Sequence, residues 1–210
     1  QRQMCIRDRY KRHRPRLLIL LGNPALLMRD EYRELWGDIP IVLCSEENYL
    51  GPQETYTKKQ AIATADRTPL TQLADPYNMV LLYSNLYLDE NIQLICHIVP
   101  EIKKFIFIGD ARQINQTNNL DIRNKLKKTH PNVEYQFITP QDMTTNQLLD
   151  SLYFVDPKTT GVLFSSWFYK TTFAGNTSLV SNAHKLIGTT AAPIFTLNMA
   201  DITEENGGMI

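Results

Sequence analysis

The chain has 210 residues, 43% of them apolar and 21% charged, which is ordinary globular composition and enough length for one large α/β domain or two small lobes. Lysine plus arginine number 22, as do aspartate plus glutamate, so the charge balance gives no long-range pull toward nucleic acid or an anionic membrane. No run of apolar residues reaches the roughly 20 needed to cross a bilayer, and the three cysteines, Cys5, Cys44 and Cys96, show no metal-ligand spacing.

Residues 1–13 are set apart from the fold as an arm. Their opening stretch, QRQMCIRDR, resembles translated adapter sequence, and removing residues 1–9 takes away three arginines against one aspartate and leaves the balance mildly acidic. The first strand is expected at Arg16–Leu21, closed by Gly22-Asn23-Pro24. A helix follows over 24–36, stopped by Gly37-Asp38, and a second strand runs over Ile39–Cys44. Residues 49–78 hold Gly51, Pro52, Pro69 and Pro76 with weak periodicity and read as a long excursion. From there the rhythm is regular. Strands are expected at Met79–Tyr83, Lys104–Ile108, Val133–Ile138, Gly161–Phe164 and Pro193–Leu197. Helices are expected at Asp89–Ile98 with Asp89 as cap, at 115–128, at Asp142–Leu152 with Asp142 or Thr144 as cap, and at Thr177–Ile187. Six or seven short apolar strands separated by helices make a doubly wound, mainly parallel α/β chain, because strands covered on both faces read as continuous apolar runs.

In open parallel sheets, ligands bind beyond the carboxyl ends of the strands. The polar turns at those ends therefore hold the candidate ligand-binding residues: Asn23, Glu46, Asn48, Asp110, Ser165, Ser166 and Asn198 for hydrogen bonding, and Trp167 as a face for stacking on a sugar or planar ligand. Aspartate and serine at strand ends also serve as helix caps, and Phe168 and Phe173 fit core positions equally well.

Three competing chemistries fit poorly. A serine hydrolase needs a G-x-S-x-G elbow, whereas Ser165 and Ser166 lie between Phe164 and Trp167, and His184 sits inside a helical pattern. Neither G-x-G-x-x-G nor a phosphate-binding G-x-x-x-x-G-K-[ST] is present. A phosphoacceptor receiver needs a lysine at a strand end where this chain offers Asn198. No cofactor, metal site or nucleic-acid partner is expected.

The segments LLILLGNPALL and DIPIVLCSEENY resemble the first lobe of type I periplasmic-binding-like proteins, as in the ABC-type substrate-binding group. YNMVLLYSNLYLDENIQLICHIVPEIKKFIFIGD is similar to the passage where that group enters its second lobe, and GVLFSSWFYK with APIFTLNMADI and the final GGMI is similar to its later strands and return crossover. The likeness covers about residues 14–210 and is strongest to the extracytoplasmic sensor region of hybrid two-component histidine kinases. It implies two doubly wound parallel-sheet lobes: an incomplete lobe 1 over 14–85, lobe 2 over 86–200, and the start of the return crossover over 201–210. Hinges are expected near 83–88 and after Leu197.

The implied function is small-ligand sensing by a membrane-anchored receptor, without enzymatic activity in this segment and with any kinase lying elsewhere. Carbohydrate is the ligand suggested by the aromatics, and a homodimer is expected through the full receptor. The alternative is the substrate-binding protein of an ABC transporter. A lobe 1 with only three strands is expected to leave an unpaired edge and bare apolar surface, so that a version extended at both ends behaves better in solution.

Overall fold

The computed structural model describes residues 13–83, 85–170, 177–179, 190, 192–197 and 208–209. The chain is mixed α/β and divides into two compact units, one of Gln1–Lys58 with Thr64–Asn85, the other of Lys59–Ala63 with Leu86–Ile210.

The first unit is built on three parallel strands in sequential order: β1 (Leu18–Leu21), β2 (Ile41–Ser45) and the fifth strand, β5 (Met79–Tyr83). The expected helix over 24–36 begins instead as a 3-10 segment, Asn23–Met28, and becomes α-helical only in α1 (Arg29–Trp36). Gly22 at φ 81° and Pro24 in the first turn favour this tight entry, and Gly37 at φ 70° ends the helix in a conformation that disfavours any residue with a Cβ. The excursion over 49–78 carries structure of its own. A two-stranded antiparallel pair, β3 (Tyr49–Leu50) and β4 (Thr68–Pro69), brackets α2 (Gln53–Lys58), and α3 (Leu70–Ala74) leads into β5.

Strands taken in sequential order by right-handed crossovers place every connection on one face of the sheet. The core follows that rule: Leu20, Leu26, Ile41, Leu43, Leu50 and Leu70 pack on that face. On the opposite face the register aligns Ile19 with Val42 and Val80, and Leu21 with Cys44 and Leu82. There Ile19 is 62% exposed, Leu21 77%, Val80 57% and Leu82 54%.

The second unit holds a four-stranded parallel sheet. Its strands are β6 (Lys104–Ile108), β7 (Glu134–Ile138), β8 (Thr160–Phe164) and the last strand, β11 (Ile194–Thr196), in the spatial order β11-β8-β6-β7. The chain moves from β6 outward to β7, then returns past β6 to β8, so its crossovers fall on both faces. On one face α4 (Leu88–Ile98) and α5 (Gln113–Thr129) bury Ile92, Ile95, Ile122 and Leu126 against Phe105, Phe107, Leu163 and Phe195. On the other, α6 (Thr145–Tyr153) buries Leu148 and Leu152 against Ile106, Ile108, Val162 and Ile194. Gly161 belongs to the α4 contact. A Cβ there would lie 2.2 Å from Ile95 Cγ2, so only glycine lets the helix seat at this depth.

The short segment Lys59–Ala63 joins this unit through Ile62, whose N–H donates to Thr117 Oγ1 at 3.0 Å. Buried Asn91 on α4 pairs with the Met209 backbone in both directions: its Nδ2 donates to the Met209 carbonyl at 2.9 Å, and the Met209 N–H donates to its Oδ1 at 2.8 Å.

Several local expectations are corrected. Asp89 lies inside the first turn of α4, where it pairs with Lys125 at 2.6 Å; the cap position is Tyr87, in left-handed backbone at φ 43°. Thr144 caps α6 through a capping box with Gln147, while Asp142 closes the preceding turn by accepting from the Thr139 N–H and Oγ1, each at 2.8 Å. The helix expected over Thr177–Ile187 does not begin there. Thr177–Leu179 forms β10, antiparallel to β9 (Phe168–Lys170). The remainder of that expected helix, with His184, lies outside the described residues, as do Phe173, Asn198 and the arm up to residue 12. No helix among the described residues is long and apolar enough to cross a membrane.

Candidate functional site

The order β11-β8-β6-β7 reverses direction between β6 and β8, and at such a reversal the two outgoing connections part and leave a crevice at the carboxyl ends. The register fixes what meets there. Ile108 pairs with Phe164, and the ladder continues as the Ser165 N–H donates to the Ile108 carbonyl at 2.9 Å. Two positions beyond each paired residue stand Asp110 and Ser166, and Ser166 Oγ donates to Asp110 Oδ2 at 2.8 Å.

The third member comes from α5. Asn115, in the first turn of that helix, donates through Nδ2 to Asp110 Oδ1 at 2.9 Å and to Ser166 Oγ at 2.8 Å. Gly109 makes this approach feasible, since a Cβ at that position would lie 3.1 Å from Asn115 Cγ and 3.1 Å from Phe137 Cε2. Arg112 completes the cluster. Its backbone N–H donates to Asp110 Oδ1 at 2.8 Å, and its Nε lies 3.0 Å from both carboxylate oxygens. Asp110 is 1% exposed and Asn115 fully buried, whereas the Arg112 side chain reaches solvent.

A buried carboxylate is costly unless charge and hydrogen bonds compensate it, and Asp110 receives both. With its oxygens so engaged, it acts as a hub that fixes Ser166, Asn115 and the arginine stem. Its charge also sits at the amino end of α5, where the helix dipole favours an anion. One atom of the cluster is unmatched: Asn115 Oδ1 is buried and meets no donor among the described residues. Turning the amide over would set that oxygen against the Asp110 carboxylate, so the observed orientation is the favourable one.

The first unit gathers a second polar group at its own strand ends. Asn23, buried just after β1, donates to the carbonyls of Glu47 and Tyr49, and Ser45 Oγ donates to Asn23 Oδ1. The Tyr49 hydroxyl donates to the buried Glu47 carboxylate, and Arg67 lies 4.7 Å over the Tyr49 ring.

Sequence reasoning placed Glu46 and Asn48 here, yet both are exposed and the buried acid is Glu47. The choice between adjacent acids depends on which side chain turns inward after β2, and that is set by packing. In the second unit, Asp110 and Ser166 come together, and Ser165 lies beside them, buried at the end of β8. Trp167 corrects the expectation of a stacking face. It is 2% exposed, packs in the core under α6 and donates its indole N–H to Thr145 Oγ1 at 3.0 Å. Asn115 was missed, because an asparagine in a first helical turn carries no signal beyond helix initiation.

Among the described residues no group of three or more His, Cys, Asp and Glu side chains is placed to hold a metal ion. Compared with protein-family models, with curated proteins and with solved structures, the chain finds no match.

Proposed function

We propose that the chain is the small-ligand-binding part of an extracytoplasmic sensor of the type I periplasmic-binding kind, with ligand seated beyond the carboxyl ends of β6 and β8. The observation that carries this reading is the coincidence of the sheet's switch point with the buried Asp110–Asn115–Ser166 cluster. A base whose carboxylate, hydroxyl and amide N–H groups are already held by hydrogen bonds suits recognition, because polar groups fixed in advance lose little entropy on binding. The exposed part of Arg112 supplies the contact that orients a polar small molecule such as a carbohydrate, and the buried Ser165 and Ser166 line the floor beneath it. In this reading the two units are the two lobes, ligand favours a closed state, and closure is passed to a kinase outside this chain. The role is binding without turnover.

A thermal-shift panel of sugars, small carboxylates and amino acids tests the reading. A ligand at a hundred times its Kd adds about 2.7 kcal/mol to stability. Ser166→Ala and Asp110→Asn should abolish that gain while the far-UV circular dichroism stays native-like. A gain that survives both substitutions rejects the switch-point site. Consumption of the ligand that is lost in Asp110→Asn or Glu46→Gln would mark an enzyme instead of a sensor.

A further inference from the structure

We infer that the bare face of the β1-β2-β5 sheet is the contact surface for a second copy of this chain, joined face to face about a two-fold axis. Parallel sheets are found covered on both sides, because their strands are apolar on both sides, and here one side is open. The rows Ile19–Val42–Val80 and Leu21–Cys44–Leu82 contain no charged or strongly polar residue. A partner that brought charged groups onto this face would leave them desolvated and unpaired, whereas a copy of the same face brings none.

Exposure points the same way. Cys44 and Val42 on the central strand are half-buried, while the flanking Leu21, Leu82, Ile19 and Val80 stand exposed, so the open surface is aliphatic on both sides of the central strand and a copy turned about a two-fold sets the same groups against it. Two sheets pack in this way about 10 Å apart. The open aliphatic side chains, Leu17 included, amount to roughly 500 Å² per copy, so a pair that covers them completely buries at most about 1,000 Å², the floor for a specific interface and the range of a weak, concentration-dependent dimer. This inference concerns the first unit and stands apart from the switch-point reading.

The test uses the whole chain. Sedimentation velocity from low-micromolar to sub-millimolar concentration should show the mass rise from one copy to two and stop there. Leu21→Glu combined with Val80→Glu should hold the protein at one copy, with circular dichroism confirming the fold. Cys44 gives a second readout in a chain carrying Cys5→Ser and Cys96→Ser, because it lies on the central strand of the face. Its maleimide labelling should slow several-fold as dimer forms, and a short bis-maleimide should link two copies through it. The proposal is overturned by a monomer at every concentration, by a dimer indifferent to the double substitution, by growth past two copies into open-ended aggregate, or by Cys44 protection that is independent of concentration, which would mean that the chain itself or a different partner covers the face.

Discussion

The two sheets of this protein are made of nearly interchangeable strands and end in different environments. LILL, IVLCS and MVLLY in the first unit are as apolar as KFIFI and TGVLF in the second. Every residue of β8 is buried, while β1 buries only Leu20 and β5 no residue at all, and both expose alternate side chains. The difference is strand order. A sequential order puts all crossovers on one face, whereas the reversal between β6 and β8 sends helices to both and brings Asp110, Asn115 and Ser166 together at the reversal. Coverage and the candidate site thus follow from one topological feature, which the first unit's three strands lack.

The comparison is broken most sharply by the same truncation on each sheet. Ile106→Ala, beneath α6, should cost about 4 kcal/mol, while Ile19→Ala on the bare face of dilute protein should cost less than about 1 kcal/mol, both measured by urea unfolding. Equal losses would show that the first face is covered in solution. Gly161→Ala tests how closely the second sheet is clad. The new methyl meets Ile95, and overpacking should destabilise by about 2 kcal/mol, with hydrogen exchange quickening in α4.

Thr144→Ala removes the capping box of α6, a device that α1 and α3 of the first unit lack, and should cost about 1 kcal/mol. The last effect concerns pH. Burial, with a lesser contribution from the Glu47 charge, pushes the Tyr56 phenol up to about 12, against the opposing hydrogen bond from the Gly51 N–H. The folded state then holds a proton that the unfolded chain releases from about pH 10, so this contribution to stability is intact below pH 10 and is lost as the pH rises to about 12. Burial raises Tyr135 in the second unit as well, so both units should weaken on the alkaline side, and ultraviolet titration of the tyrosines beside the unfolding curve checks it.

Much of this architecture was legible in the residues. Met79–Tyr83 and Lys104–Ile108 stand where their apolar runs put them, because a continuous run of five between turn formers has few other stable solutions. Asp110 and Ser166 were legible as strand-end residues, since the carboxyl ends of parallel strands are the accessible ends of such a sheet. Their meeting was not legible, because it depends on β8 lying beside β6, a pairing between residues more than fifty positions apart that leaves no local pattern. Trp167 misled because an aromatic after a strand serves a ligand or a core equally well, and only the position of Thr145 beside its indole N–H decides between them.

The sequence by itself determined the strands of the two parallel sheets and the helices between them, since periodicity, glycine and proline act within a few residues of themselves, but not the short antiparallel pairs β3–β4 and β9–β10. Tertiary structure alone decided the order of the strands, and with it which apolar face stays bare, which acid turns inward and which three polar side chains meet in one buried cluster. Strands apolar on both sides carry no mark of their neighbours, so that choice is made by how the crossovers pack.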